Sequence, residues 1–154
     1  FTVELWVQIP IGFAPPGGGG IPLFSFATDQ VQDALLFWNV DYNDNKYALE
    51  LKVHSTSDVK TEDNDAWDLA DGEWHSIAVT RSRIEDPPGT CESGSNHQCC
   101  WASFYKDGIL IFTNPDVFQC KEIKSPGCVV LGQEQDQMCG SFHHKDEFVG
   151  NMTE

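Results

Sequence analysis

Apolar and polar residues alternate with a period of two along most of the chain, and no long stretch repeats with a helical period. Phe1, Val3, Leu5 and Val7 alternate with Thr2, Glu4, Trp6 and Gln8, which predicts a strand with one face in a core. Leu23 to Thr28 and Ala34 to Val40 read as two further strands around a polar turn. Tyr47, Leu49, Leu51 and Val53 alternate with Ala48, Glu50 and Lys52 in another half-buried strand. Glu73 to Arg81 predicts a strand on which His75, Ile77 and Val79 share a face, and Trp74 at its start is expected to pack. Trp101 to Lys106 and Ile109 to Asn114 flank Asp107-Gly108, a hairpin signal. Cys128 to Leu131 is a short strand, and Phe148 to Thr153 starts another.

The segments between are loops. Ile9 to Ile21 contains Gly17 to Gly20, a flexible spacer, and His54 to Ala70 is an acidic loop. Residues from about Ser82 to Cys100 form a polar insertion with Pro87-Pro88, Gly89, Gly94 and three cysteines; too few apolar residues hold it, so disulfide bonding is expected to. Many short strands separated by turn signals imply an all-β sandwich of two antiparallel sheets packed face to face. At 154 residues the chain reads as a single domain over 1–154, long enough to bury about 68–70% of its unfolded surface.

Composition narrows the partners. An apolar content of 40% fits a globular chain. Nine basic against 24 acidic residues give a formal charge of −15, a field that repels nucleic acid and anionic lipid and suits calcium, cationic ligands or basic patches on a partner. Leu5 to Thr28 carries no charge, but its prolines and glycines exclude a transmembrane helix. Six cysteines point to an oxidising, extracellular setting. Adjacent Cys99 and Cys100 are expected to take different partners. One local bridge is expected inside Cys91 to Cys100, with others tying Cys120, Cys128 or Cys139 to neighbouring loops; the connectivity stays open. Asn151-Met-Thr153 is a glycosylation sequon, which supports secretion if its side chain faces solvent. No secretory signal precedes the first strand-like run, so the chain reads as a mature or excised segment.

The candidate chemistry sits in Gly127 to Gly140. A strand runs into Gly132 and delivers Glu134, Gln135 and Asp136 in one polar cluster. Such oxygens bind hard cations when a loop converges them, although spacing alone favours a solvated acidic turn. His143 and His144, beside Asp146, point to opposite sides of an extended segment and read as surface histidines, not as a transition-metal site. Asp41-Tyr-Asn43-Asp-Asn45 opens like an EF-hand loop but has Lys46 and Lys52 where that loop needs glycine and glutamate. Glu134-Gln-Asp136 resembles the first half of a jelly-roll glucanase motif, yet the second glutamate is Cys139, so no enzyme is expected.

Leu131-Gly-Gln-Glu-Gln-Asp136, followed by Gly140-Ser-Phe142 and Phe148-Val-Gly150, resembles the calcium loop of the pentraxins. Phe1 to Val7, Phe24-Ser-Phe-Ala-Thr28, Leu36-Phe-Trp38, Asp71-Gly-Glu-Trp-His-Ser-Ile-Ala-Val-Thr80 and Phe104-Tyr-Lys-Asp-Gly108 match that family in order, over nearly the whole chain. Laminin-G-like domains share the Asp-Gly-x-Trp-His signal. The resemblance implies a jelly-roll sandwich. It also implies further strands beyond Glu154, so that the domain is incomplete at its C-terminal end and the chain is a fragment of a longer one. It implies a calcium ion held by Glu134, Asp136, the backbone carbonyl of Gln135 and the earlier pair Gln32-Asp33. A second ion would use the positions of His143 and Asp146; imidazole is a poor calcium ligand, so one ion is expected, not two. The bridge usual in the family falls here at Glu4 and Ala78. The function implied is a non-enzymatic extracellular recognition module, secreted or part of a cell-surface ectodomain. It would bind a carbohydrate, a zwitterionic head group or a protein with calcium, as an oligomer or in a larger assembly. The alternative is a structural or adhesion domain of a longer ectodomain, with a vestigial calcium loop.

Overall fold

The alternating stretches become strands. The computed structural model describes residues 1–13, 20–32, 34–42, 46–53, 57–60, 67–83, 100–117 and 126–153. The strands in chain order are β1 (Thr2–Gln8), β2 (Gly20–Thr28), β3 (Leu35–Tyr42), β4 (Lys46–Val53), β5 (Ser57–Lys60), β6 (Trp74–Arg83), β7 (Cys100–Lys106), β8 (Ile109–Val117), β9 (Gly127–Leu131) and β10 (Asn151–Thr153). Among the described residues these form two five-stranded sheets, one ordered β10-β1-β6-β7-β8 and the other β5-β4-β3-β2-β9. Every pairing is antiparallel, as in the expected jelly-roll sandwich.

The inward parity of each strand builds the core. Leu5, Val7, Ile77, Val79, Ala102 and Phe104 of the first sheet meet Leu23, Phe37, Leu49, Leu51 and Val53 of the second. Each large apolar side chain so buried contributes about 1.5–3 kcal/mol. Phe104 links the layers: its ring lies 6.1 Å from Phe37 across the interface and 6.1 Å from Phe112 beside it.

Strand β2 is irregular near its middle. Its register with β3 shifts between Pro22 and Phe24. The shift exchanges which parity faces inward, so Leu23 and Phe24 both touch the core. Past the shift, Ser25 stands opposite Leu36, on the outer side of the sheet, and is nevertheless 3% exposed. Something covers that outer face.

The first sheet is closed at one end by a histidine between two acids. His75 Nδ1 lies 2.9 Å from Asp107 Oδ2, and its Nε2 lies 3.0 Å from Asp71 Oδ2. Asp107 also accepts the Ser76 amide and donates its own amide to the Ser76 carbonyl, at φ 53 before Gly108 at φ 76. Two successive positive φ values are what a tight Asp-Gly hairpin requires. Burial works against ionisation of Asp71, but the Glu73 amide, the His75 ring and Lys106 outweigh it and hold the carboxyl below its ordinary 3.8.

Several expectations are corrected. β5 lies inside the stretch expected to be an acidic loop; it pairs antiparallel with β4, its register running from Ser57 opposite Val53 to Lys60 opposite Glu50, with Val59 opposite Leu51. β2 begins at Gly20, not Leu23, because Gly20 packs against the Trp38 ring where no side chain fits. Trp74 is 43% exposed, on the outward parity of β6. His144–Asp146 form a short 3-10 turn. Glu4 and Ala78, where the family bridge would fall, are register partners across β1 and β6, and Glu4 instead accepts a hydrogen bond from Ser76 Oγ at 3.0 Å.

Candidate functional site

The acidic loop lies over the outer face of the second sheet. β9 pairs with β2 through Ala27–Cys128 and Ser25–Val130, then the chain turns at Gly132, φ +71, whose missing side chain makes room for Phe148. Gly132 is tied on both sides, donating to the Leu23 carbonyl and accepting from the Phe148 amide.

Gln135 anchors the loop. Its side chain is fully buried. Nε2 donates to Ser25 Oγ at 3.0 Å and to the Cys128 carbonyl at 3.1 Å, while Oε1 accepts the Cys139 amide at 2.9 Å. Ser25 Oγ in turn donates to the Gln133 carbonyl at 2.7 Å. A buried amide fully bonded in this way stays put, because each bond lost would strand a polar group away from water. A disulfide joins Cys128 to Cys139 across the same loop, with Cα atoms 5.4 Å apart. Cys139 and Ser141 adopt φ 57 and 56, a left-handed backbone that costs an L residue on the order of 1 kcal/mol.

With Gln135 pinned inward, its neighbours Glu134 and Asp136 are left partly accessible. Asp136, Gln137 and Met138 face Thr28, Asp29, Gln30, Val31 and Gln32 across a cavity of about 760 Å³. Gln32 and Asp136 thus line the same cavity, although 104 positions separate them in the chain. Glu134 and Gln135 do not line it. Asp136 has a second neighbour, His143, whose Nε2 lies 2.9 Å from Asp136 Oδ2. Gln133 Nε2 fixes that segment by donating to the His143 carbonyl at 2.9 Å. His144 is fully exposed and pairs with Glu147.

Asp33, Cys91, Cys99 and Cys120 lie outside the described residues, as do the side chains of Cys100 and Asp146. Among the described residues no three His, Cys, Asp or Glu side chains converge as a metal cluster. Asn151 is exposed on β10, opposite Gln8, and its Nδ2 donates to Gln8 Oε1 at 2.9 Å. Sequence reasoning missed Ser25. Its signal was a hydroxyl inside the otherwise apolar run Leu23-Phe-Ser-Phe-Ala27, a polar group that burial obliges to find partners.

For calcium, the donors present are hard oxygens: the Glu134 and Asp136 carboxylates and the Gln135 carbonyl, the Gln135 side chain being engaged elsewhere. They suit one hard cation. One of those oxygens, Asp136 Oδ2, already has the His143 imidazole against it.

Fold and loop together define a two-sheet jelly-roll carrying a pinned acidic loop on one outer face. The Pentaxin family model matches residues 17–154, and the chain belongs to this family. Neuronal pentraxin-1 of Homo sapiens is 29% identical over 153 residues, which is 99% of this chain and 29% of that protein. Neuronal pentraxin-2 of Cavia porcellus is 33% identical over 86 residues, 56% of this chain and 17% of that protein. The chain therefore spans less than a third of the length of these relatives. Among solved structures, the native heptameric SAP-like pentraxin from Limulus polyphemus superposes with a TM-score of 0.66 at 18% identity, covering 99% of this chain and 61% of that one.

Proposed function

We propose that this chain is a non-enzymatic extracellular recognition module. In this reading Glu134, Asp136 and the Gln135 carbonyl, helped by Gln32-Asp33, hold one calcium ion. The cavity between residues 28–32 and 136–138 then receives a carbohydrate, a zwitterionic head group or a protein segment. The observation that supports it best is the inward-locked Gln135 side chain, which fixes the backbone between the two acids against the sheet. Membership of the Pentaxin family and the cysteine content agree with a secreted or ectodomain setting. No helix among the described residues is long and apolar enough to cross a membrane. The heptameric state of the Limulus relative motivates an oligomer for this protein as well. The calcium supplies charge that balances the two acids and fixes the loop; the protein supplies position.

Calorimetric titration tests this. Calcium is expected to bind with a dissociation constant of about 10⁻⁴ to 10⁻³ M, the range of extracellular modules, at one ion per chain. Glu134→Ala combined with Asp136→Ala is expected to abolish the heat. A flat titration of the native protein would instead favour a structural or adhesion role. Trp6 and Trp74, 44% and 43% exposed on the outward parity of β1 and β6, offer a contact surface for that second reading.

A further inference from the structure

The acidic loop is held by more than its oxygen donors require. Cys139 sits at φ 57 without being glycine, and an L residue remains there only when its surroundings insist. Here the insistence is double. The Cys139 amide donates to Gln135 Oε1, and the Cys139 sulfur is bonded to Cys128. The carbonyl of Cys128 accepts Gln135 Nε2 at 3.1 Å. These contacts close a ring: Cys128 to Cys139 through sulfur, Cys139 to Gln135 through its amide, and Gln135 back to Cys128. The ring is moored to the sheet twice, by the pairing of Cys128 with Ala27 and by Ser25 Oγ against Gln135. Glu134 and Asp136 are the residues on either side of its centre.

An acidic loop without such a ring would be loosened by repulsion between its carboxylates and by chain entropy, and an arriving ion would have to order it. From the closed ring we infer that the Cys128–Cys139 disulfide is a positioning device, acting through Gln135 to hold Glu134 and Asp136 in their cation-ready arrangement before any ion arrives. This rests on the proposed calcium site for its consequence, affinity, but not for its mechanism, order in the ion-free loop. The partners of the other cysteines play no part in it.

Two variants of the intact protein, compared with the native form, separate mechanism from consequence: Cys128→Ser with Cys139→Ser, and Cys128→Ser with Cys139→Gly. The glycine removes the cost of the left-handed backbone while leaving the covalent tie absent. In a calcium chelator, hydrogen exchange of residues 132–142 is expected to quicken about tenfold or more in both variants, with β3 and β6 still protected. In calcium titrations both are expected to keep one ion per chain but bind about tenfold more weakly, the signature of an ordering cost and not of a destroyed site. Native exchange in both variants, or native affinity in either one, overturns the inference; recovery in the glycine variant alone would mean that backbone preference, not the tie, sets the loop. If native and variant proteins all give flat titrations, the calcium reading falls, while the exchange measurement still decides whether the bridge orders the loop. If the variants do not fold, brief dithiol treatment of the folded native protein, alkylation and mapping of Cys128 and Cys139 provide the same comparison.

Discussion

Single residues carry most of the local logic. Gln135 reads in the sequence as a polar residue between two acids, a solvent-facing position by any composition rule, yet it is fully buried. Its burial was not legible because its three partners, Ser25, Cys128 and Cys139, are brought to it only by the pairing of β2 with β9. Asp71 shows the opposite case, an acid in a recognisable Asp-Gly-x-Trp-His run that the fold gives a histidine and an amide to hold. Because its folded carboxyl titrates below its unfolded value, the stability it contributes is complete above about pH 4–5 and is lost as pH falls through the lower folded value. Acid unfolding followed by circular dichroism is therefore expected to lose part of its low-pH slope in Asp71→Asn, with a smaller effect at neutral pH than a buried pair would give, since the side chain is 43% exposed.

At the scale of elements, strand existence followed from alternation and strand ends did not. β1, β4 and β6 lie where apolar residues recur at every second position, and β3 where they form an unbroken run, Leu35 to Trp38. β5 escaped that test because Ser57–Lys60 is four residues long with one apolar position, Val59, too short a run to show a period. The outward Trp74 escaped it too: an aromatic at a strand start packs or not according to what lies over that face. β10 depends on a glycine. At Gly150, φ is +148 and an added side chain would collide with the Gln8 carbonyl, the point where β10 meets β1. Gly150→Ala is expected to unpair β10, quickening exchange of the Asn151, Met152 and Thr153 amides and costing about 1–3 kcal/mol in urea unfolding.

For the whole molecule, the two layers are joined by side chains contributed from distant strands, with Phe104 against Phe37 at the centre. Phe104→Ala is expected to cost about 3–5 kcal/mol, read as a lower urea midpoint with an unchanged slope, because a cavity between two sheets collapses poorly. The net charge of −15 belongs to this scale as well. It weakens the compact state by self-repulsion, so calcium bound at the acidic loop would stabilise the fold by mass action in addition to ordering the loop.

The amino-acid sequence by itself determined that this protein is an all-β sandwich with an acidic loop after the strand at Cys128 to Leu131, because period-two burial and Asp-Gly turns are local properties of neighbouring residues. Only the tertiary structure decided that Gln135 points inward, that Cys128 is bonded to Cys139 and that Gln32 shares a cavity with Asp136. Each of those facts is a meeting between positions whose distance along the chain says nothing of their distance in space, and it follows from the pairing of β2 with β9 and from the loop that β9 runs into.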